Sequence, residues 1–184
     1  MLRKRRSPPA KSPPPIIVRP APGRPTHALV TVAGRVEQAA IGRSGRTARK
    51  REGDGATPIA AMALLGGYVR RDRLRTVTSR LPLTPIDPQL LWCDAPGHPI
   101  YNRPTRRPLS ASHESMARAD GLYDVCLVMD WNIRQRRRNA GSAIFFHLIR
   151  PGYQPTEGCI AVSLPTMRRI LKVARRGTVV QVVG

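Results

Sequence analysis

A mostly β domain with small helical elements is the class predicted for this chain. Three observations predict it. Short β-branched or apolar runs recur between turn residues, as at 27–33, 123–129, 142–149 and 178–183. A clear helical repeat occurs near the C-terminal end, with apolar residues at 164, 167, 170, 171 and 174. Nineteen prolines and fifteen glycines punctuate the rest, which keeps elements short.

Residues 1–26 read as a basic, proline-rich, disordered tail. Arg3-Lys4-Arg5-Arg6 is followed by eight prolines and no acidic residue. Proline removes amide donors and favours extended chain, so no packed core is expected there. Ordered structure is expected over residues 27–184. His27–Ala33 and Arg35–Ile41 read as a hairpin turning near Gly34. Residues 49–58 form a glycine-rich loop without the Gly-Lys-Ser/Thr ending of a phosphate-binding loop. Residues 59–65 suit a strand or a short helix, and 81–108 suit ordered loop with short strands. Ser110–Ala119 reads as a short helix, with Ser112 as N-cap, Glu114 near its start and His113 packing there. Residues 123–129 and 142–149 read as buried strands joined through the basic loop 134–138. The helix from 164 ends near Gly177, and 178–183 closes the domain as a strand.

The net charge of +21 implies attraction to polyanions: nucleic acid, an anionic surface, or a carboxylate-rich polymer. Aromatic residues are only 4%, which leaves little for base stacking, and no nucleic-acid motif is present, so no nucleic-acid partner is expected. No run reaches the roughly 20 apolar residues of a membrane span. Ile16-Ile17-Val18 is too short for the apolar part of a signal peptide, so no export signal is visible. Cys93, Cys126 and Cys159 are odd in number and lack Cys-x-x-Cys spacing, which argues against a disulfide framework or a zinc site. Neither a metal nor a cofactor is expected.

Chemistry concentrates in two places. His147 lies in the apolar run Phe145-Phe146-His147-Leu148, and Cys159 follows Thr156-Glu157-Gly158. A thiol needs a partner base near neutral pH, and imidazole is the usual one. Glycine before the cysteine allows a tight turn whose N–H groups point at a reacting carbonyl. Spacing permits thiol and imidazole to meet, but a histidine in an apolar strand also suits a satisfied core residue. Cys126 and Cys93 read as buried packing residues. His98 reads as a loop residue, and Trp131 and Tyr101 as packing residues or groove lining.

The run from His147 to Ala161 resembles the signature of the YkuD-type L,D-transpeptidase family: a strand histidine, a loop, then Ser/Thr-x-Gly-Cys. Further segments are similar to a short proteobacterial branch. They are Lys50-Arg51-Glu52-Gly53-Asp54-Gly55-Ala56-Thr57-Pro58, Trp92-Cys93-Asp94, Tyr101-Asn102-Arg103-Pro104, Ser112-His113-Glu114, Leu122-Tyr123-Asp124 and Gly141-Ser142-Ala143-Ile144-Phe145. The resemblance spans about residues 27–184. It implies the family's β-sandwich with small helices, a β-rich α+β fold. It also implies Cys159 as acyl-accepting nucleophile, His147 as base, and backbone N–H groups of Gly158, Cys159 and Glu157 as oxyanion donors. Thr156, Arg150 and Tyr101 are candidate substrate contacts. The implied substrate is the peptidoglycan stem peptide, cut at the carbonyl of diaminopimelate with loss of D-alanine. The acyl group then passes to an amine, or to water in a carboxypeptidase or endopeptidase. Periplasm or cell envelope is the implied location, and anionic envelope polymers are possible partners. The competing reading is a non-enzymatic polyanion binder. Four positions depart from the family pattern. Glu157 replaces a frequent histidine, Ala161 a frequent arginine and Leu148 a usual glycine, while Ala60-Ala61 stands where a glycine is expected. Glu157 beside the thiol is expected to raise its pKa unless its side chain points away.

Overall fold

The computed structural model describes residues 13–184. Fourteen strands, one α-helix and one 3-10 turn follow in order. The strands are β1 (Ile16–Ala21), β2 (Arg24–Val32), β3 (Arg35–Ala40), β4 (Arg46–Thr47), β5 (Thr57–Pro58), β6 (Ala61–Val69), β7 (Leu83–Pro85), β8 (Leu90–Cys93), β9 (Arg103–Arg106), β10 (His113–Ser115), β11 (Val125–Met129), β12 (Phe145–Leu148), β13 (Ile160–Val162) and β14 (Val179–Val182). The 3-10 turn covers Pro151–Tyr153 and helix α1 covers Leu164–Val173.

Nine strands form one mixed sheet in the order β11-β12-β13-β3-β2-β1-β14-β6-β7. Strand β6 also pairs with β11, so the sheet closes on itself. Ile16, Val30, Leu64, Leu127, Phe146 and Ile160 are all within 1% of full burial inside it, together with Met167, Ile170 and Leu171 of α1. The fold is therefore the mostly β class expected, with a single α-helix among the described residues. A separate small sheet, β10-β8-β9, lies outside that closed sheet. It covers a second apolar cluster made by Trp92, Met116, Tyr123, Cys126, Val128, Phe145 and Cys159.

Strand β11 explains how one sheet serves two cores. All five of its residues are buried. Val125, Leu127 and Met129 face the main core, while Cys126 and Val128 face the second cluster. A strand covered on both faces reads as a continuous apolar run, which is why 123–129 shows no polar alternation. Cys93 and Cys126 are each 0% exposed, as packing cysteines should be.

Two expectations need correction. Ordered structure begins at Ile16, eleven residues before His27, so residues 16–26 are not tail. Ile16 and Val18 pair in parallel with Val180 and Val182 and are buried, so even a three-residue apolar run suffices between two strand neighbours. Proline is accommodated at an irregularity, since the β1–β2 register shifts between Pro20 and Ala21. Residues 1–12, which hold the rest of that expected tail, lie outside the described residues. The second correction concerns Ser110–Ala119, which is not a helix. His113–Ser115 pairs antiparallel with β8, Glu114 opposite Trp92. Of that segment only Met116 enters a core cluster fully buried, so it has no apolar helical stripe to bury. The remaining expectations match. The hairpin turns at Ala33-Gly34, residues 59–65 join a strand, and α1 starts at Ser163, whose Oγ accepts from Thr166 N.

Phe146 is 0% exposed in the main core, so Phe146→Ala is expected to cost about 3–5 kcal/mol in urea unfolding. Val36→Ala, at a residue 62% exposed, is expected to stay within about 0.5 kcal/mol of the parent.

Candidate active site

Strand alternation selects the face on which the chemistry stands. Phe146, Ile160 and Val162 point into the main core, so their neighbours Phe145, His147, Cys159 and Ala161 point out of it. Strands β12 and β13 run parallel, with Phe146 opposite Ile160 and His147 opposite Ala161. That register places Cys159 beside Phe145, one pleat from His147. The Phe145 N–H donates to Cys159 Sγ at 3.3 Å, and the thiol donates to Ala143 O at 3.1 Å. Tyr123 packs edge-on against both His147 (5.3 Å) and Phe145 (5.9 Å), holding the imidazole from one side.

The turn before Cys159 is locked by hydroxyls. Thr156 Oγ1 donates to Cys159 O at 2.7 Å and accepts from Gly158 N at 3.2 Å. Thr57 Oγ1 also donates to Cys159 O, at 3.3 Å, and itself accepts from Gly42 N. The main chain of Ile41 and Arg43 grips Thr156 from both sides. Gly158 has φ +129°, and a Cβ there would lie 2.9 Å from Ala56 O and 3.4 Å from Lys50 Nζ, so only glycine fits. Beneath this turn the Lys50 side chain is 3% exposed and ion-paired with Asp54. Burial opposes the Asp54 charge, but hydrogen bonds from Lys50, Arg51 N–H and Ala56 N–H prevail and hold its carboxyl below the ordinary value.

Burial sets the protonation of His147 and Cys159. His147 is 6% exposed and is pushed down to about 4, the Leu148 carbonyl opposing only in part. Its Nδ1 lies 2.8 Å from Leu148 O, an acceptor, so Nδ1 carries the proton and Nε2 keeps its lone pair. Cys159 is pushed up to about 12, chiefly by burial, with the Phe145 N–H opposing and Glu114 adding. The resting pair is thus a neutral thiol beside a neutral imidazole. Glu157 is not the like charge that bears on the thiol. Its side chain is 75% exposed and accepts from Arg43 Nε at 2.7 Å.

A cleft of about 290 Å³ opens over the thiol, lined by Cys159, His147, Thr156, Glu157 and Arg150 among others. Five candidates named from sequence thus share one cavity. Tyr101 does not join them. It is 2% exposed, and its hydroxyl donates to Glu52, which does line the cleft. Gly158 is also reassigned, since its N–H is spent inside the turn on Thr156. His113, His98 and Trp131 lie outside the cleft lining. Among the described residues, no group of three or more His, Cys, Asp or Glu is placed to hold a metal ion.

The family model of the YkuD L,D-transpeptidase catalytic domain matches residues 10–182, nearly the whole chain. The chain belongs to the YkuD family. Activity of the L,D-transpeptidase type, on peptidoglycan, comes with that membership. No curated protein and no solved structure matches the chain. None of the described helices of this YkuD domain is long and apolar enough to cross a membrane.

Sequence reading of this YkuD domain missed the cleft placement of Lys50, Glu52, Asp94, Glu114, Arg118, Tyr123 and Ser142. Lys50 and Asp54, four apart in a glycine-rich loop, were the one available signal. Glu114 was hidden by the helix expected around it. Arg118 stacks over the Tyr123 ring at 5.0 Å and is bridged to Asp120 at 2.5 Å, within the connection from β10 to β11, where no strand or helix period marks it.

Asp54→Ala strands the buried Lys50 charge, and a loss of about 3–5 kcal/mol in denaturant unfolding is expected. Alkylation of Cys159 by iodoacetamide is expected to keep rising with pH through 9 without a plateau, because the thiol ionises only near 12. A plateau below pH 8 would show a thiolate–imidazolium pair instead.

Proposed function

We propose that this YkuD domain is a cysteine L,D-transpeptidase acting on peptidoglycan stem peptides. The observation that carries this reading is a buried thiol and an imidazole whose Nε2 keeps its lone pair, standing on one face of the sheet and lining one cleft. Neither group is charged at rest, so the proton moves as the sulfur attacks. His147 Nε2 takes the Cys159 proton while Sγ bonds to the carbonyl carbon of diaminopimelate in the donor peptide. Negative charge gathers on the carbonyl oxygen. Among the described residues no hydrogen bond engages the N–H of Glu157 or Cys159, which leaves both available to that oxygen. The Lys50 ammonium beneath Gly158 adds a fixed positive charge near the developing oxyanion. His147 then returns its proton to the departing amine of D-alanine, leaving a thioester on Cys159.

An amine resolves the thioester in a transpeptidase, and water resolves it in a carboxypeptidase or endopeptidase. Arg150 lines the cleft, is about half exposed, and has only a distant partner in Asp120 at 4.0 Å, so it is placed to meet a substrate carboxylate. Thr156 supports the site by holding the turn, with its hydroxyl spent on the backbone. The reading places the protein in the periplasm or cell envelope, where its +21 charge suits anionic polymers. No cofactor enters any step.

Incubation with a carbapenem, followed by intact-mass analysis, tests this. The parent protein is expected to gain one adduct, and Cys159→Ala none. In His147→Asn the adduct is expected to form about 10²–10⁴-fold more slowly. An adduct of full yield on Cys159→Ala would sink the reading.

A further inference from the structure

The chain is strongly cationic, yet Glu52, Asp94, Glu114 and Glu157, four of its eleven acidic residues, line the cleft above Cys159, together with Lys50, Arg118 and Arg150. Two of them share a wall. Glu114 stands opposite Trp92 on the paired strands β10 and β8, and Asp94 follows β8 directly, its N–H donating to Ser112 O, so both acids line the same cleft. Asp94 Oδ1 is buried without a hydrogen-bond partner, and so is Ser142 Oγ, in a residue 6% exposed. Among the described residues these are the two such side-chain atoms, and both residues line this cleft. Buried polar atoms are nearly always partnered, so two orphans in one cavity point to a ligand that donates hydrogen bonds.

Glu114 is only loosely held, by Arg118 at 3.5 Å and Tyr123 Oη at 3.4 Å. Arg118 itself is drawn away by Asp120 at 2.5 Å and by the Tyr123 ring. Burial holds the Glu114 carboxyl above its ordinary value, Arg118 opposing and Asp94 adding. A cation between the two acids relieves that repulsion. An acceptor oxygen on Asp94, a second carboxylate on Glu114 and the Ser142 hydroxyl together suit three donors on one nitrogen, which is the hydrogen-bonding capacity of a primary ammonium.

We propose that Asp94, Glu114 and Ser142 form a subsite for the primary ammonium of the acyl acceptor. The assignment rests on the transpeptidase reading and deepens it, because it makes an amine, rather than water, the preferred partner of the thioester. The arriving ammonium loses one proton to the Glu114 carboxylate. Its nitrogen then bonds to the thioester carbon, the C–S bond breaks, and the nitrogen's second proton passes through His147 to the departing Cys159 sulfur.

Two readouts test the subsite, with glycinamide as the amine probe. The first is a titration of the free protein followed by ¹⁵N–¹H spectra. Saturable shifts centred on Asp94, Glu114 and Ser142 are expected, with affinity at least five-fold weaker in the near-isosteric Asp94→Asn and weaker again with Ser142→Ala added. Non-saturable shifts, or equal affinity in the variants, overturn the subsite whether or not Cys159 is ever acylated. The second is the ratio of aminolysis to hydrolysis within the acylated population, which is independent of how fast acylation occurs. That ratio is expected to fall at least ten-fold in Asp94→Asn. Saturable binding with an unchanged ratio overturns the acceptor role. Failure of the parent protein to form any adduct on Cys159 is a separate result and removes the transpeptidase reading, while the titration still decides the subsite.

Discussion

The parallel pairing of β12 with β13 is the constraint on which the site depends. Phe146 opposite Ile160 anchors both strands in the main core, since each is 0% exposed there. With those two side chains pointing inward, alternation leaves His147 and Cys159 no choice but the outer face. A slip of one residue would bury the imidazole in hydrocarbon and turn Phe146 outward, a change the core does not allow. The apolar residues therefore do more than stabilise the domain: they fix the relative placement of His147 and Cys159.

A second layer follows from the outer face being covered. The small sheet β10-β8-β9 and the Tyr123 ring close over Phe145 and Cys159, leaving the thiol 8% exposed and the imidazole 6%. Desolvation then keeps both neutral, so the proposed reaction calls for proton transfer during attack rather than a preformed ion pair. The same covering brings Glu114 of β10 and Asp94, just past the end of β8, to the cleft edge, so one feature of the fold sets both thiol protonation and the chemistry of the cleft wall. Gly158, Thr156 and the buried Lys50–Asp54 pair hold the remaining wall in place.

Much of this was legible from residues alone where local pattern and tertiary context agree. The hairpin about Gly34, the strand through Cys126 and the helix capped by Ser163 all carried their own signals of period, turn and cap. The placement of His147 and Cys159 on one cleft was legible as a permitted geometry, and family likeness proposes their pairing. The failures have a common physical cause. Ile16–Ala21 becomes a strand only because β2 and β14 flank it, and His113–Ser115 only because β8 offers an edge. Glu114 and Asp94 meet through that same long-range pairing, so no spacing along the chain could announce them. Glu157 takes the exception that the sequence left open: it lies two residues from Cys159, but its side chain points away to Arg43.

The most direct test is the ¹⁵N spectrum of the His147 imidazole in the resting protein at pH 6. The account requires a neutral ring, with the proton on Nδ1 and a lone pair on Nε2, because burial pushes this group down to about 4 and Leu148 O accepts from Nδ1. The expected result is a pair of well-separated ring nitrogen shifts that do not move until the pH falls toward 4. An imidazolium signal at pH 6, with both nitrogens protonated, would contradict the neutral thiol–imidazole pair and the proton transfer built on it.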